Sequence, residues 1–136
     1  MYRVVLDPVV ILRGLINPHS VCGILISEYA ARYKAVFSAE TGQALIFLPF
    51  HPMLVARFPR LARLNPRHIG RLFAHAEKVA VDLTSHANVV VATAVAAHAD
   101  YLICEDPHLL AMQDKLPVRM LSAAAFVALL ASEPSL

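Results

Sequence analysis

The sequence predicts an α/β protein, a three-layer α/β/α domain built on a central, mainly parallel sheet of four to five strands. Short apolar runs alternate with helix-like patterns along the whole chain. The runs are spaced by helices, and strands joined through helical crossovers lie parallel with helices over both faces. No repeat or shift in composition divides the 136 residues. One domain spanning 1–136 is therefore expected, long enough to bury a core of its own.

Each element follows from local signals. Arg3–Asp7 is a short β-branched apolar run closed by Pro8, the pattern of a strand with a stop signal. Ser20 is placed to cap a helix running to about Tyr33, with Ile24, Leu25, Tyr29 and Ala30 facing inward. Ala35–Ser38 reads as the second strand. Ser38 then caps a helix carrying Ala44, Leu45 and Leu48, which Pro49 or Pro52 must end or kink. Arg57–Leu64 and Asn65–Lys78 read as two further helices, the second with Pro66 at its first position. Val79–Leu83 alternates apolar residues and is either a third strand or a connector. Ser85–His98 is a helix rich in Ala and Val, suited to packing close to a sheet. Tyr101–Cys104 is a buried strand, Pro107–Met112 a short helix and Val118–Leu121 the last strand. Ser122 caps a closing helix through Leu130.

Composition narrows the functional classes. Apolar residues make up 58% of the chain and charged residues 16%, richer in hydrophobics than an average soluble domain. The uncharged stretch from Thr41 to Ala56 is interrupted by Pro49, His51 and Pro52, short of the ~20 apolar residues a membrane helix requires. Asp7 and Pro8 end the first apolar run before it reaches the length of a signal peptide core. The expectation is a soluble, cytoplasmic protein with no membrane contact, whose surplus apolar surface meets another protein chain, a homo-oligomer included. Cys22 and Cys104 both lie in apolar settings and read as buried free thiols.

Formal charge is only +2, but it is unevenly spread. No Asp or Glu occurs from Thr41 to Ala76, while Arg57, Arg60, Arg63, Arg67 and Arg71 fall inside that stretch, together with His51, His68 and His75. Such a block suits a phosphate backbone or an acidic partner segment, and a solvated face is the plain alternative. Four of the arginines, from Arg60 onward, would align on a continuous helix, which Pro66 is placed to split. Seven histidines do not show the spacing of a zinc site.

Function in parallel sheets gathers beyond the carboxyl ends of the strands. Asp7 ends the first strand and Asp106 follows the strand at Tyr101–Cys104, so two aspartates 99 positions apart can meet at one sheet edge. Taken singly, Asp7 also reads as a turn residue and Asp106 as a helix cap.

With these segments in hand, Val4–Asp7, Val36-Phe37-Ser38, Ala92–Asp106 and Val118–Leu121, the chain resembles the PIN-domain family, in particular the toxin-component ribonucleases of the VapC type. The likeness runs over nearly the whole chain and rests on order and spacing. It implies a cluster of three or four carboxylates holding one or two Mg²⁺ or Mn²⁺ ions, which activate water against a phosphodiester. Carried over position by position, the first acid is Asp7 and the last is Asp106. The Thr and Asn that usually follow the first acid are Pro8 and Val9 here. Ala44 stands where a glutamate is expected, and Ala87 or Asn88 where a third acid opens its helix. Glu40, four residues before Ala44, is the best stand-in by helical spacing, although a first-turn helix acid is also the ordinary reading. Asn88 offers a neutral oxygen, and Glu105 neighbours Asp106 but points to the opposite face of an extended segment.

Three functions follow. The first is a domain of toxin ancestry, impaired as a nuclease, that binds nucleic acid or protein and needs no metal. The second is an active Mg- or Mn-dependent ribonuclease on a reduced acidic site. The third is a subunit that dimerises or binds an antitoxin-like partner.

Overall fold

A computed structural model describes residues 1–47, 51–63, 76–81 and 88–133 of the chain. Five strands, β1 (Tyr2–Leu6), β2 (Tyr33–Ser38), β3 (Glu77–Val79), β4 (Tyr101–Ile103) and β5 (Met120–Leu121), form one sheet in the order β3-β2-β1-β4-β5. Every pairing is parallel, with Tyr2 opposite Tyr33 and Val4 opposite Tyr101. The helices are α1 (Pro8–Ile16), α2 (Val21–Ser27), α3 (Ala39–Phe47), α4 (Pro52–Arg57), α5 (Val89–Ala96), α6 (Pro107–Ala111) and α7 (Ala123–Ser132).

Alternation along the strands divides the interior into two cores. Val4 and Leu6 of β1, Phe37 of β2 and Ile103 of β4 face a cluster containing Val10 and Ile11 of α1, Leu25 of α2 and Phe126 and Leu130 of α7. Val5, Val36, Leu102 and Cys104 face the other side, against Val90, Val91 and Ala94 of α5 and Met120 of β5. The protein is thus three-layered, each face of the sheet covered, as parallel sheets require. Helix α5 buries five consecutive residues, Val90 to Ala94, and this all-round burial matches its nearly uniform apolar sequence. Each large apolar side chain taken fully from water contributes about 1.5–3 kcal/mol.

Helix α7 is fixed to the sheet by aromatic contacts. The fully buried Phe126 ring meets Tyr33 at 5.6 Å, Tyr101 at 5.9 Å and Tyr2 at 6.2 Å between centroids. The Tyr2 hydroxyl donates to the Glu133 carboxylate at the end of α7, and that contact pushes the tyrosine up to about 12. Arg3 pairs with Glu77 at 2.8 Å, both side chains about 40% exposed, so the pair contributes at most about 1 kcal/mol.

Several boundaries differ from the sequence expectation. Asp7-Pro8 does not simply stop β1; it also starts α1, a helix the sequence reading passed over. The helix expected from Ser20 to Tyr33 ends at Ser27, and a 3₁₀ turn at Ala30–Arg32 delivers Tyr33 into the sheet. There its buried hydroxyl donates to the Leu25 carbonyl at 2.9 Å. In place of a helix over Arg57–Leu64, α4 starts at Pro52, and Pro59 opens a separate 3₁₀ turn, Pro59–Arg63. Both prolines sit where a helix has no N–H to lose. Glu77 and Lys78, expected at the end of a helix, belong to β3; the rest of that expected helix up to residue 75 lies outside the described residues.

Among the described residues no single helix is long and apolar enough to cross a membrane. Helices α1 and α2 together have the composition for it, but they turn through 99° and bury Val10, Ile11 and Leu25 in the core.

Candidate functional site

The strand order reverses at β1. The chain moves outward from β1 to β2 and β3, then returns to the other side of β1 for β4 and β5. In open parallel sheets a crevice opens beyond the carboxyl ends of the strands at such a point. Asp7 follows β1 and Asp106 follows β4 at this edge. The Asp7 N–H donates to the Ile103 carbonyl at 2.9 Å, which ties the end of β1 to the end of β4 and brings the following segments together.

Both aspartates cap helices. Asp7 Oδ1 accepts from the Val9 N–H at 3.0 Å, with Pro8 buried at the first position of α1. Asp106 Oδ1 accepts from the His108 N–H at 2.9 Å, with Pro107 at the first position of α6. The capping reading of these residues and the metal reading are compatible, because Oδ2 of each has no partner among the described residues.

Burial pushes the Asp7 carboxyl up, the charge of Asp106 adds to the rise, and the Val9 N–H and Arg13 oppose it. The charge of the exposed Asp106 therefore acts on a half-buried Asp7. A folded-state pKa above the unfolded value means the native state holds more protons, so this group's contribution to stability falls as pH rises from about 4. Asn caps as well as Asp. Asp7→Asn is accordingly expected to melt at a higher temperature than wild type at pH 7, with the gain shrinking toward pH 4. A thermal melt series in which the variant is less stable at pH 7, or equally shifted at every pH, would contradict this electrostatic account.

The proposed stand-ins have positions of their own, and Glu105 acts on the Cys104 thiol together with Asp7 and Asp106. Glu40 lies in the first turn of α3, half-buried. Asn88 is the N-cap of α5, and its Oδ1 accepts from Val90 at 2.9 Å and Val91 at 3.2 Å. Glu105 Oε1 accepts from the Ala123 N–H at 2.9 Å, at the start of α7. Ala44 is exposed on α3, and Ala87 lies outside the described residues. Among the described residues no group of three or more His, Cys, Asp or Glu side chains converges. Asp7 and Asp106 thus offer two carboxylates, enough to help hold one divalent ion whose shell is completed by water and substrate phosphate.

Two features escaped the sequence reading. Beneath the crevice Ser38, Thr41 and Thr93 are all buried. Ser38 N–H donates to Thr41 Oγ1 at 2.9 Å while Thr41 N–H donates to Ser38 Oγ at 3.1 Å, a reciprocal cap of the S-x-x-T type. Thr93 shares its hydroxyl proton between Ser38 Oγ at 2.9 Å and the Val89 carbonyl at 2.7 Å. This locks β2 and α3 to α5 with no hydroxyl left unsatisfied, as burial demands. The signal was the one hydroxyl inside the otherwise apolar run from Val89 to Ala97.

The second is Arg13, in the last turn of α1. It opposes the rise in both the Asp7 carboxyl and the Cys22 thiol, and it lines a cleft of about 500 Å³. Arg13, Ile16, Asn17, Val21, Phe58 and Glu105 contribute to that cleft's walls. Of the arginine block, Arg57 and Arg60 are exposed, the Arg57 guanidinium 5.6 Å from the Phe58 ring centroid. Arg63 lies at the end of the 3₁₀ turn, whereas Arg67 and Arg71 lie outside the described residues. A second cavity, of about 630 Å³, lies between β5 and α7. Neither it nor the cleft at Arg13 is lined by Asp7 or Asp106, and the topology at the end of β1 marks the sheet edge that carries the two acids.

No family model matches the chain, and no curated protein matches it.

Proposed function

We propose that the chain is a PIN-like domain of toxin-component ancestry, impaired as a nuclease, that acts by binding RNA through the basic surface beside its reduced acidic crevice. The observation that carries the reading is the pairing of Asp7 with Asp106 at the strand-order reversal, next to a cleft bordered by Arg13 and by Phe58 with Arg57 over it. Ancestry rests on the resemblance in segment order and on the two acids at their expected places. Impairment rests on Ala44 and on the hydrogen-bonding duties already taken up by Asn88 and Glu105. RNA is favoured over a protein partner because an aromatic ring and guanidinium groups together suit stacked bases and phosphates.

Fluorescence anisotropy with a structured RNA tests the reading. Contacts from three arginines to phosphates predict a roughly 20-fold loss of affinity between 50 and 200 mM salt, and Arg57→Ala with Arg60→Ala should flatten that dependence. Absent or salt-insensitive binding would reject it in favour of a protein-binding or dimerising subunit, an antitoxin-like partner being the first to try.

One observation supports the alternative of an active Mg- or Mn-dependent ribonuclease. The repulsion between Asp7 and Asp106 is what a divalent cation relieves. Asp7 and Asp106 would hold such an ion, which would supply Lewis acidity at a phosphate; the chain itself supplies the two open Oδ2 atoms and the rigid helix starts that aim them. Calorimetric Mn²⁺ binding abolished in both Asp7→Asn and Asp106→Asn, with RNA cleavage lost in parallel, would favour this alternative.

A further inference from the structure

We propose that the cleft between the end of α1, the start of α2, Phe58 and the start of α7 is a nucleotide subsite that takes a purine base, guanine by preference, with its phosphate at Arg13. The proposal rests on the RNA-binding reading above. The volume of about 500 Å³ falls within the range of small-molecule sites. Its walls combine apolar side chains, Ile16 and Val21, with one aromatic ring, one cation and one carboxylate. Phe58 is half-buried, with the Arg57 guanidinium at 5.6 Å from its centroid, and rings and guanidinium planes are the surfaces on which bases stack. The turn that carries Phe58 into place is anchored by Leu61, which is fully buried, where the Pro59–Arg63 segment packs on α1.

Two polar groups choose the ligand. Glu105 gives Oε1 to the Ala123 N–H and has no partner for Oε2 among the described residues. This half-buried carboxylate oxygen on the cleft wall favours a ligand that brings a donor, and the N1–H and N2–H edge of guanine supplies one. Arg13 is the cation on the same wall. A base seated against Phe58 therefore has its phosphate met by Arg13. Glu105, adjacent to Asp106 in sequence, thus serves α7 and the cleft with its carboxylate.

Calorimetry on the full chain at low salt, with GMP, AMP, UMP and inorganic phosphate as probes, tests the subsite, alongside RNA anisotropy on the same samples. GMP is expected to bind at least roughly tenfold better than UMP or phosphate. Phe58→Ala should lose that binding and Phe58→Trp should restore it, with thermal melts checking that each variant folds. Glu105→Gln keeps an oxygen for the Ala123 N–H but replaces the second acceptor by a donor, so GMP should lose its advantage over UMP. Salt-dependent RNA binding unchanged by Phe58→Ala, with no mononucleotide bound, would overturn the subsite while leaving the RNA reading intact. Neither RNA nor nucleotide binding would remove both. Binding of a Glu- and Leu-rich amphipathic peptide in place of any nucleotide, sensitive to Phe58→Ala, would overturn the proposal and make the cleft a protein-docking site.

Discussion

Phe126→Ala is expected to destabilise the domain by about 3–5 kcal/mol, the usual cost of deleting a buried aromatic ring. Against the ~5–15 kcal/mol that separates folded from unfolded domains, this is a large share. Phe126 is fully buried and lies against three tyrosines from three different strands, Tyr2, Tyr33 and Tyr101. Its removal leaves a cavity at the centre of one core and also takes away the edge-on ring contacts, each of which contributes about 0.5–1.5 kcal/mol beyond area. The strands that surround it are the same ones whose far ends carry Asp7 and the Cys104–Asp106 segment, so the site should soften with the core. Urea denaturation reads the effect through its midpoint. Phe126→Leu preserves most of the volume and should fall well short of the alanine variant. A loss below about 1 kcal/mol in Phe126→Ala would mean that the aromatic cluster does not hold α7.

Gly23→Ala should rank next. A Cβ at this position would lie 2.4 Å from the Pro18 carbonyl oxygen and 2.6 Å from the Pro18 Cα. These are backbone atoms, which cannot swing aside as a flexible side chain can. Alanine improves helix propensity by about 1 kcal/mol, but the overlap has to be relieved by displacing the turn from Asn17 to Ser20 away from α2. Overpacking typically costs about 1–3 kcal/mol, and a backbone obstacle puts this variant at or above the upper end. The displaced turn includes Asn17 and Ser20, both on the wall of the proposed nucleotide cleft. The variant should therefore lose both stability and nucleotide binding, whereas Phe58→Ala should chiefly lose binding. Equal melting temperatures for wild type and Gly23→Ala would show that the turn yields freely.

Much of the architecture was legible because strand and helix signals alternate. The parallel sheet, the capping roles of Ser20, Ser38 and Ser122 and the meeting of Asp7 with the Asp106 segment follow from that pattern. What stayed hidden had specific causes. Asp-Pro after β1 terminates a strand and also begins a helix, so the sequence signal at Asp7-Pro8 was ambiguous, and α1 was missed although Val10, Ile11 and Gly14 have helical spacing. Sequence spacing carries the Ser20 helix to about Tyr33, whereas long-range packing on Phe126 and the bond to Leu25 place Tyr33 in β2. Glu105 and Asn88 were considered for metal because residue type reveals a donor atom but not what already occupies it. Their duties at Ala123, Val90 and Val91 exist only in three dimensions. Arg13 drew no attention because a single arginine at a helix end carries no pattern.

The central place of β1 has a consequence for how the protein is made. β1 pairs with β2 on one side and with β4 on the other, and 95 positions separate Leu6 from Tyr101. At a synthesis rate of about 5–20 residues per second, one edge of the Val4-Val5-Leu6 segment waits roughly 5–20 s for its neighbour to leave the ribosome. During that interval a β-branched apolar strand is open to any other nascent strand nearby, the arrangement that templates aggregation. The sheet closes only when a long loop has been drawn in, which makes folding slow relative to helical domains of this size. The same topology that brings the Asp7 and Asp106 segments to one sheet edge thus leaves one side of β1 unpaired until β4 has been made.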